Sequence, residues 1–332
     1  MQTTKTQLSG KALITGASGF IGGQLRDTLI NQGTDVVSVR RPGSPPSRAG
    51  RSVEVDYADI DSLSDVLRQE KPDYIFHVAG ATKGVRYTDF RHANVMPTFQ
   101  LQQAAQRAYP ELKRFVLVSS LAAYGPSHRN WRHDGDKEAR PIEYYGQSKL
   151  EAERALQDEQ RLAWTIMRPG GVYGPGDVDY FQLFKSIHSG LNVYFGNRDR
   201  LFSAVYVDDF VRALIDAATS PNTIGKGYFI CDGSPVTWEG FQNQIIKTVG
   251  KRVRELDMPE FLVHLSALGG ELLTKFDGKP RLFNRQKARM GAQEAWTCDH
   301  TKAREDFGYV PAVTMPEGVE RTYEWYRKSG WL

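Results

Sequence analysis

A tyrosine and a lysine stand four positions apart in the run Tyr145-Gly146-Gln147-Ser148-Lys149. On a helix that spacing places both on one face. There the lysine ammonium can lower the phenol pKa from its ordinary value of about 10. A phenol tuned in this way acts as general acid and base toward an alcohol or a ketone. Upstream, Val116-Leu117-Val118-Ser119-Ser120 ends in a pair of hydroxyls that could hold a reacting oxygen. Further upstream lies a turn, Thr15-Gly16-Ala17-Ser18-Gly19-Phe20-Ile21-Gly22, with three glycines. They permit a tight turn, close approach of backbone to a pyrophosphate, and close packing of helix on strand. The pyrophosphate would sit at the N-terminus of the following helix, where free N–H groups and the dipole attract it. A Tyr-Lys pair alone occurs by chance in many helices; behind a dinucleotide turn and a serine it becomes specific.

The end of the second strand selects the dinucleotide. An NAD site places an Asp or Glu there, roughly 20 residues beyond the turn, for the ribose hydroxyls. Here Asp35-Val36-Val37-Ser38-Val39 runs into Arg40 and Arg41, with no carboxylate at its end. Two guanidiniums suit a 2′-phosphate, which they grip in bidentate fashion. NADP(H) is therefore favoured. NAD(H), with Arg40 only stacked on adenine, is the alternative.

These residues need strands and helices in alternation to hold them, and the sequence supplies both. Strands are expected at 12–15, 36–40, 52–55, 74–78, 115–119 and 163–168, and helices at 21–31, 60–69, 97–109 and 144–160. Such alternation predicts an α/β fold, a Rossmann-type doubly wound parallel sheet with helices on both faces. Residues 1–170 would form the dinucleotide-binding domain, with 204–232 returning to its sheet. Within the returning segment a helix is expected at 208–219, and residues 171–203 and 233–332 would form a smaller substrate lobe, with helices at 236–249 and 315–328. The stretch 170–203, rich in Gly, Pro and aromatics, reads as irregular. Residues 261–276 read as an amphipathic helix packed in the lobe, a membrane-surface contact being the lesser alternative.

The chain of 332 residues is 40% hydrophobic and 25% charged, ordinary for a soluble globular protein. Its 43 basic and 39 acidic residues leave a net +4, too balanced to imply nucleic acid. Cys231 and Cys298 form no CxxC pair, so no zinc site or disulfide framework is indicated. His128, His133 and Asp134 are explained by a polar loop bordering the active site, and no metal is expected. The polar opening residues show no signal peptide, and no apolar run is long enough to span a membrane, so a cytoplasmic protein is expected.

Together these motifs resemble the extended short-chain dehydrogenase/reductases, the NAD(P)-dependent epimerase/dehydratase family, over nearly the whole chain. TGASGFIG is similar to the family's TGxxGxxG. The resemblance implies that Gly16, Ser18, Gly19, Phe20, Ile21 and Gly22 cradle the cofactor. It places Asp56 and Tyr57 against adenine, and Val78, Ala79, Gly80 and Thr82 along the dinucleotide. Asn94 matches the asparagine opening the next helix. RPGGVYGPGD, which includes Pro169 and Val172, matches RPxxVYGPGD, and AVYVDDF matches the later VxD segment. The catalytic serine, four before the tyrosine of the YG pair Tyr124-Gly125, is Ser120; Ser119 lies near the cofactor. In the implied mechanism Ser120 binds the substrate oxygen, Tyr145 transfers its proton, and Lys149 holds the nicotinamide ribose. A homodimer joined through the helices at 97–109 and 144–160 is also implied.

Three activities compete: a ketone/alcohol oxidoreductase, a nucleotide-sugar epimerase or dehydratase, and a cofactor-binding protein without turnover. Sugar dehydratases carry acids just after the Ser/Thr, where this chain has Leu121-Ala122-Ala123. Sugar-nucleotide enzymes tend to place an Arg seven residues before Asp209, where this chain has Phe202, although Arg198 and Arg200 are near. The complete set of Ser120, Tyr145 and Lys149 argues against a non-enzyme. An apolar small-molecule substrate is favoured, and the closing segment resembles bacterial members similar to 3β-hydroxysteroid dehydrogenases.

Overall fold

Runs such as Tyr74-Ile75-Phe76-His77 and Arg114-Phe115-Val116-Leu117-Val118 are buried at every position. A strand covered on both faces needs apolar residues without alternation, which is the signature of a parallel sheet between helices. The computed structural model describes residues 7–158, 161–262, 265, 267–268 and 285–332. In chain order it contains β1 (Lys11–Thr15), α1 (Phe20–Asn31), β2 (Asp35–Arg40), β3 (Arg51–Glu54), α2 (Ile60–Glu70), β4 (Tyr74–His77), α3 (Tyr87–Phe90), α4 (Met96–Ala108), β5 (Arg114–Val118), α5 (Tyr144–Gln157) and β6 (Trp164–Pro169). There follow β7 (Gly171–Tyr173), α6 (Phe181–His188), β8 (Leu191–Phe195), β9 (Leu201–Phe202), β10 (Ala204–Tyr206), α7 (Val207–Thr219) and β11 (Lys226–Ile230). The chain closes with β12 (Val236–Thr237), α8 (Trp238–Val249), β13 (Arg254–Met258), α9 (Arg285–Gly291), β14 (Ala295–Trp296), α10 (Thr301–Phe307) and α11 (Met315–Lys328).

Seven parallel strands form the main sheet in the order β3-β2-β1-β4-β5-β6-β11. Helices α1 and α7 bury Leu25, Leu29, Phe210, Val211 and Leu214 on one face. On the other face α2, α4 and α5 bury Leu63, Leu67, Leu101, Ala105, Ala152 and Leu156. The strand order reverses between β1 and β4, and a sheet of this kind binds ligands outside the carboxyl ends at that point.

The expected strands and helices of this half lie within a few residues of those observed. Three differences follow from local chemistry. Residues 170–203, expected to be irregular, contain the short elements β7, α6, β8 and β9, set between Gly- and Pro-rich turns. Val236 and Thr237 pair with β9 as a strand, and α8 begins only at Trp238, where Thr237 accepts the Gly240 N–H. A π-helical turn, Arg91–Val95, precedes α4 and carries Asn94. Of the helix expected at 261–276, residues 261–262, 265 and 267–268 are helical, and the remainder lies outside the described residues.

Candidate active site

A cavity of about 550 Å³ opens at the carboxyl ends of β1, β2, β4, β5 and β6. It brings together Gly16, Ser18, Gly19, Phe20, Ile21, Gly22, Arg40, Arg41, Tyr57, Val78, Ala79, Gly80, Thr82, Ser119, Ser120, Tyr145, Lys149, Pro169 and Val172. Two expected residues are not among its lining. Asp56 is exposed and accepts the Ala58 N–H at 2.9 Å. Asn94 is buried behind the wall. Its side chain accepts the Ala81 N–H at 2.7 Å and donates to the Ala81 carbonyl at 3.1 Å and Ser148 Oγ at 2.8 Å. It thus positions the loop along the cavity.

The glycine turn is shaped by contact. Gly16 has φ +75°, and a Cβ there would come within 2.7 Å of the Ala79 backbone. A Cβ on Gly22 would strike the Gly16 carbonyl, so α1 packs directly on the turn. No side chain caps α1, whose first N–H groups therefore point at the cavity. This is the cradle a pyrophosphate needs.

Residues beyond the expected ones complete the ribose end. Ser38 and Ser52 face each other in register across β2 and β3, and both line the cavity. Their hydroxyls, with Arg40 Nε, are buried and have no hydrogen-bond partner. Arg40 Nη1 is held by Glu54, its register partner, and by the Ser44 carbonyl at 2.7 Å. Buried unpaired polar groups are costly, so such a cluster points to a polar ligand. A sequence signal existed: Ser38 precedes Arg40 by two in a strand, so both share a face.

At the other end, Tyr145 lies in the first turn of α5. The Glu143 carboxylate caps that turn, accepting the Tyr145 and Gly146 N–H groups at 2.7 and 2.6 Å. Gln286 of α9 accepts the Tyr144 N–H at 2.8 Å. Ser120 has extended backbone, and its hydroxyl accepts the Ala122 N–H at 3.1 Å while lining the cavity with Tyr145. Lys149 Nζ donates to the Val118 carbonyl at 2.6 Å. Burial pushes its ammonium down to about 8, against the opposing pull of Glu153. Tyr145 departs from the expected lowering: burial pushes it up to about 12, and the Ser120 hydroxyl works the other way. The reason is geometric, because the ammonium is turned to a backbone carbonyl. Ser119 borders the cavity, but its hydroxyl turns to Glu153, which holds Arg168 at 2.9 Å.

The lobe side is apolar. Phe202 is stacked on Trp238 with ring centroids 4.4 Å apart and meets Phe241 edge-on. It packs beside Gly171, between the cavity-lining Gly170 and Val172. Both nearby arginines are committed elsewhere. Arg198 binds Asp257, Glu239 and Glu255, and Arg200 binds both oxygens of Glu260 at 2.9 Å. The loop at 128–141, expected to cover or border the pocket, contributes no residue to the lining of this cavity. Ser127 bridges to Ala295, and His133 is buried against Trp131 and Tyr124, so the loop packs on the lobe. Among the described residues no group of three or more His, Cys, Asp or Glu could hold a metal.

The profile of the NAD dependent epimerase/dehydratase family matches residues 12–231. Over 98% of its length the chain is 28% identical to a 3-beta-hydroxysteroid dehydrogenase of Mycolicibacterium neoaurum, covering 93% of that protein. It is also 28% identical to a ceramide reductase of Caulobacter vibrioides, covering 98% of each. Among solved structures, MoeE5 in complex with UDP-glucuronic acid and NAD superposes with a TM-score of 0.77 at 26% identity, covering 96% of this chain and 100% of that one.

Proposed function

The chain belongs to the NAD-dependent epimerase/dehydratase family, and within it we propose an NADP-linked oxidoreductase that interconverts a ketone and a secondary alcohol on an apolar substrate. The observation that carries the substrate class is the pairing of Arg198 and Arg200 with lobe carboxylates around a buried Phe202. A sugar-nucleotide diphosphate entering there would be desolvated without a guanidinium to meet it, which is costly. A steroid dehydrogenase and a ceramide reductase among the relatives agree with this reading. The solved relative that holds a UDP-sugar keeps the epimerase as the second reading.

When bound, the dinucleotide supplies a hydride at its nicotinamide ring. The residues of this chain would do the rest. Ser120 donates a hydrogen bond to the carbonyl oxygen. The Tyr145 hydroxyl passes its proton to that oxygen as the alcohol forms. The charged Lys149 holds the nicotinamide ribose and stabilises the resulting phenolate. At the far end the guanidiniums of Arg40 and Arg41, which only donate, stand with the hydroxyls of Ser38 and Ser52 around the ribose, and this cationic set fits a 2′-phosphate better than two hydroxyls. A homodimer would join α4 and α5 of two copies, whose outward sides carry Phe99 beside Gln103, Arg107, Gln147 and Arg154; sedimentation at micromolar concentration tests it.

The decisive experiment follows NADPH oxidation against long-chain ketones, 3-ketosteroids and UDP-sugars. Turnover of an apolar ketone with none of a UDP-sugar is expected. Conversion of a UDP-sugar without net cofactor oxidation would replace this reading with the epimerase.

A further inference from the structure

Seven of the twelve strongly exposed large apolar side chains of the described residues lie in one corner of the lobe: Leu191, Phe195, Leu256, Phe261, Leu262, Leu265 and Leu268. Strands β8 and β13 pair in parallel, with Leu191 opposite Arg254, Val193 opposite Leu256 and Phe195 opposite Met258. Strand alternation puts these six on one face. The other face carries Tyr194, Glu255 and Asp257, and there Arg198 lies 3.8 Å over the Tyr194 ring and clasps both carboxylates. Three residues beyond β13, Phe261, Leu265 and Leu268 recur at helical spacing with exposures of 67%, 61% and 50%, while Ala267 is buried.

The charges sort in the same way. Glu255 and Asp257 are ion-paired to Arg198, and Glu260 to Arg200. Lys251, Arg252 and Arg254 are exposed beside the apolar face. An apolar face rimmed by cations fits the boundary between headgroups and acyl chains of an anionic bilayer. A second copy fits poorly, because an isologous contact would set the basic rim against itself. No helix among the described residues is long and apolar enough to cross a membrane, so the contact is peripheral.

We propose that the outward face of β8 and β13, together with Phe261, Leu262, Leu265 and Leu268, is a docking surface for an anionic membrane. Binding is read without turnover, so this inference does not depend on the reaction proposed above.

The test is co-sedimentation of the full chain with extruded vesicles, either equimolar phosphatidylcholine and phosphatidylglycerol or phosphatidylcholine alone. Pelleting with the mixed vesicles, weakened by added salt, is expected. Arg252→Gln should weaken partitioning about fivefold, as should Lys251→Gln. Leu256→Asp combined with Phe261→Asp should abolish it. All four positions are exposed, and an unchanged thermal melt confirms that each variant folds. Absence of pelleting with the mixed vesicles would overturn the proposal, as would equal binding by native chain and variants. Self-association that disappears with Phe261→Asp, without lipid binding, would assign the face to a second copy.

Discussion

Replacing Arg40 by Ala should discriminate sharply between NADP and NAD. Arg40 Nε is buried, unpaired and at the cavity, beside the unpaired hydroxyls of Ser38 and Ser52. If these groups bind a 2′-phosphate, the variant loses a hydrogen bond to a charged group, about 1.5–3 kcal/mol, or roughly 10- to 150-fold in the NADP dissociation constant. It also strips Glu54 of its partner and leaves a carboxylate near the phosphate, so the loss should lie toward the upper end. NAD, which has no phosphate there, should change little. Glu54→Gln should act in the opposite direction, releasing Arg40 Nη1 to the phosphate and tightening NADP. Aspartate at position 40 is the poorer probe, since it would set two carboxylates in register across β2 and β3. Isothermal titration of both cofactors to native chain and variants measures all of this. Equal native affinities, or an equal loss of NAD and NADP in Arg40→Ala, would refute the phosphate site and leave the arginine as a stacking surface for adenine.

Tyr145→Phe keeps the ring and removes the hydroxyl that lines the cavity with Ser120, so turnover should fall about 100-fold or more while cofactor affinity is retained; near-native turnover would dismiss the assignment. Lys149 is charged below about 8 and neutral above it, so kcat/KM for ketone reduction should be level at lower pH and decline as pH rises through that value, in a stopped-flow pH series. Phe202→Arg should lower turnover of the apolar ketone by disrupting the stack with Trp238, and a thermal shift with a UDP-sugar in that variant alone would support the diphosphate argument. His77 is buried between Thr15 and Thr98 and held down to about 3, whereas an unfolded imidazole titrates near its ordinary value of about 6.5. The unfolded chain therefore takes up the proton first, and urea unfolding should show stability falling by up to about 1.4 kcal/mol per pH unit on acidification across that window. A slope unchanged in His77→Gln would assign the acid sensitivity to other groups.

The sheet was legible because its strands are continuous apolar runs and its turns carry glycine. Tyr145, Lys149, Ser120 and the turn from Gly16 to Gly22 share a cavity because each sits at or just beyond the carboxyl end of a strand or in the first turns of a helix, positions that sequence order alone constrains. What escaped was set by partners distant in sequence. Asn94 and Asp56 are near the site in the chain, yet one holds Ala81 from behind and the other faces solvent. Ser52 gains its meaning only from its register with Ser38. The lobe hid itself because two- and three-residue strands bury their neighbours by contacts across the chain, as β9 does between β12 and β14. The same holds for electrostatics: spacing put Lys149 on the face of Tyr145, but a carbonyl of β5 decided where its ammonium points. Arg198 and Arg200 make the point for the substrate. Their types suggest a diphosphate, and only the carboxylates of Glu239, Glu255, Asp257 and Glu260, brought up by α8, β13 and the residues after it, turn them from ligand-binding groups into struts of an apolar lobe.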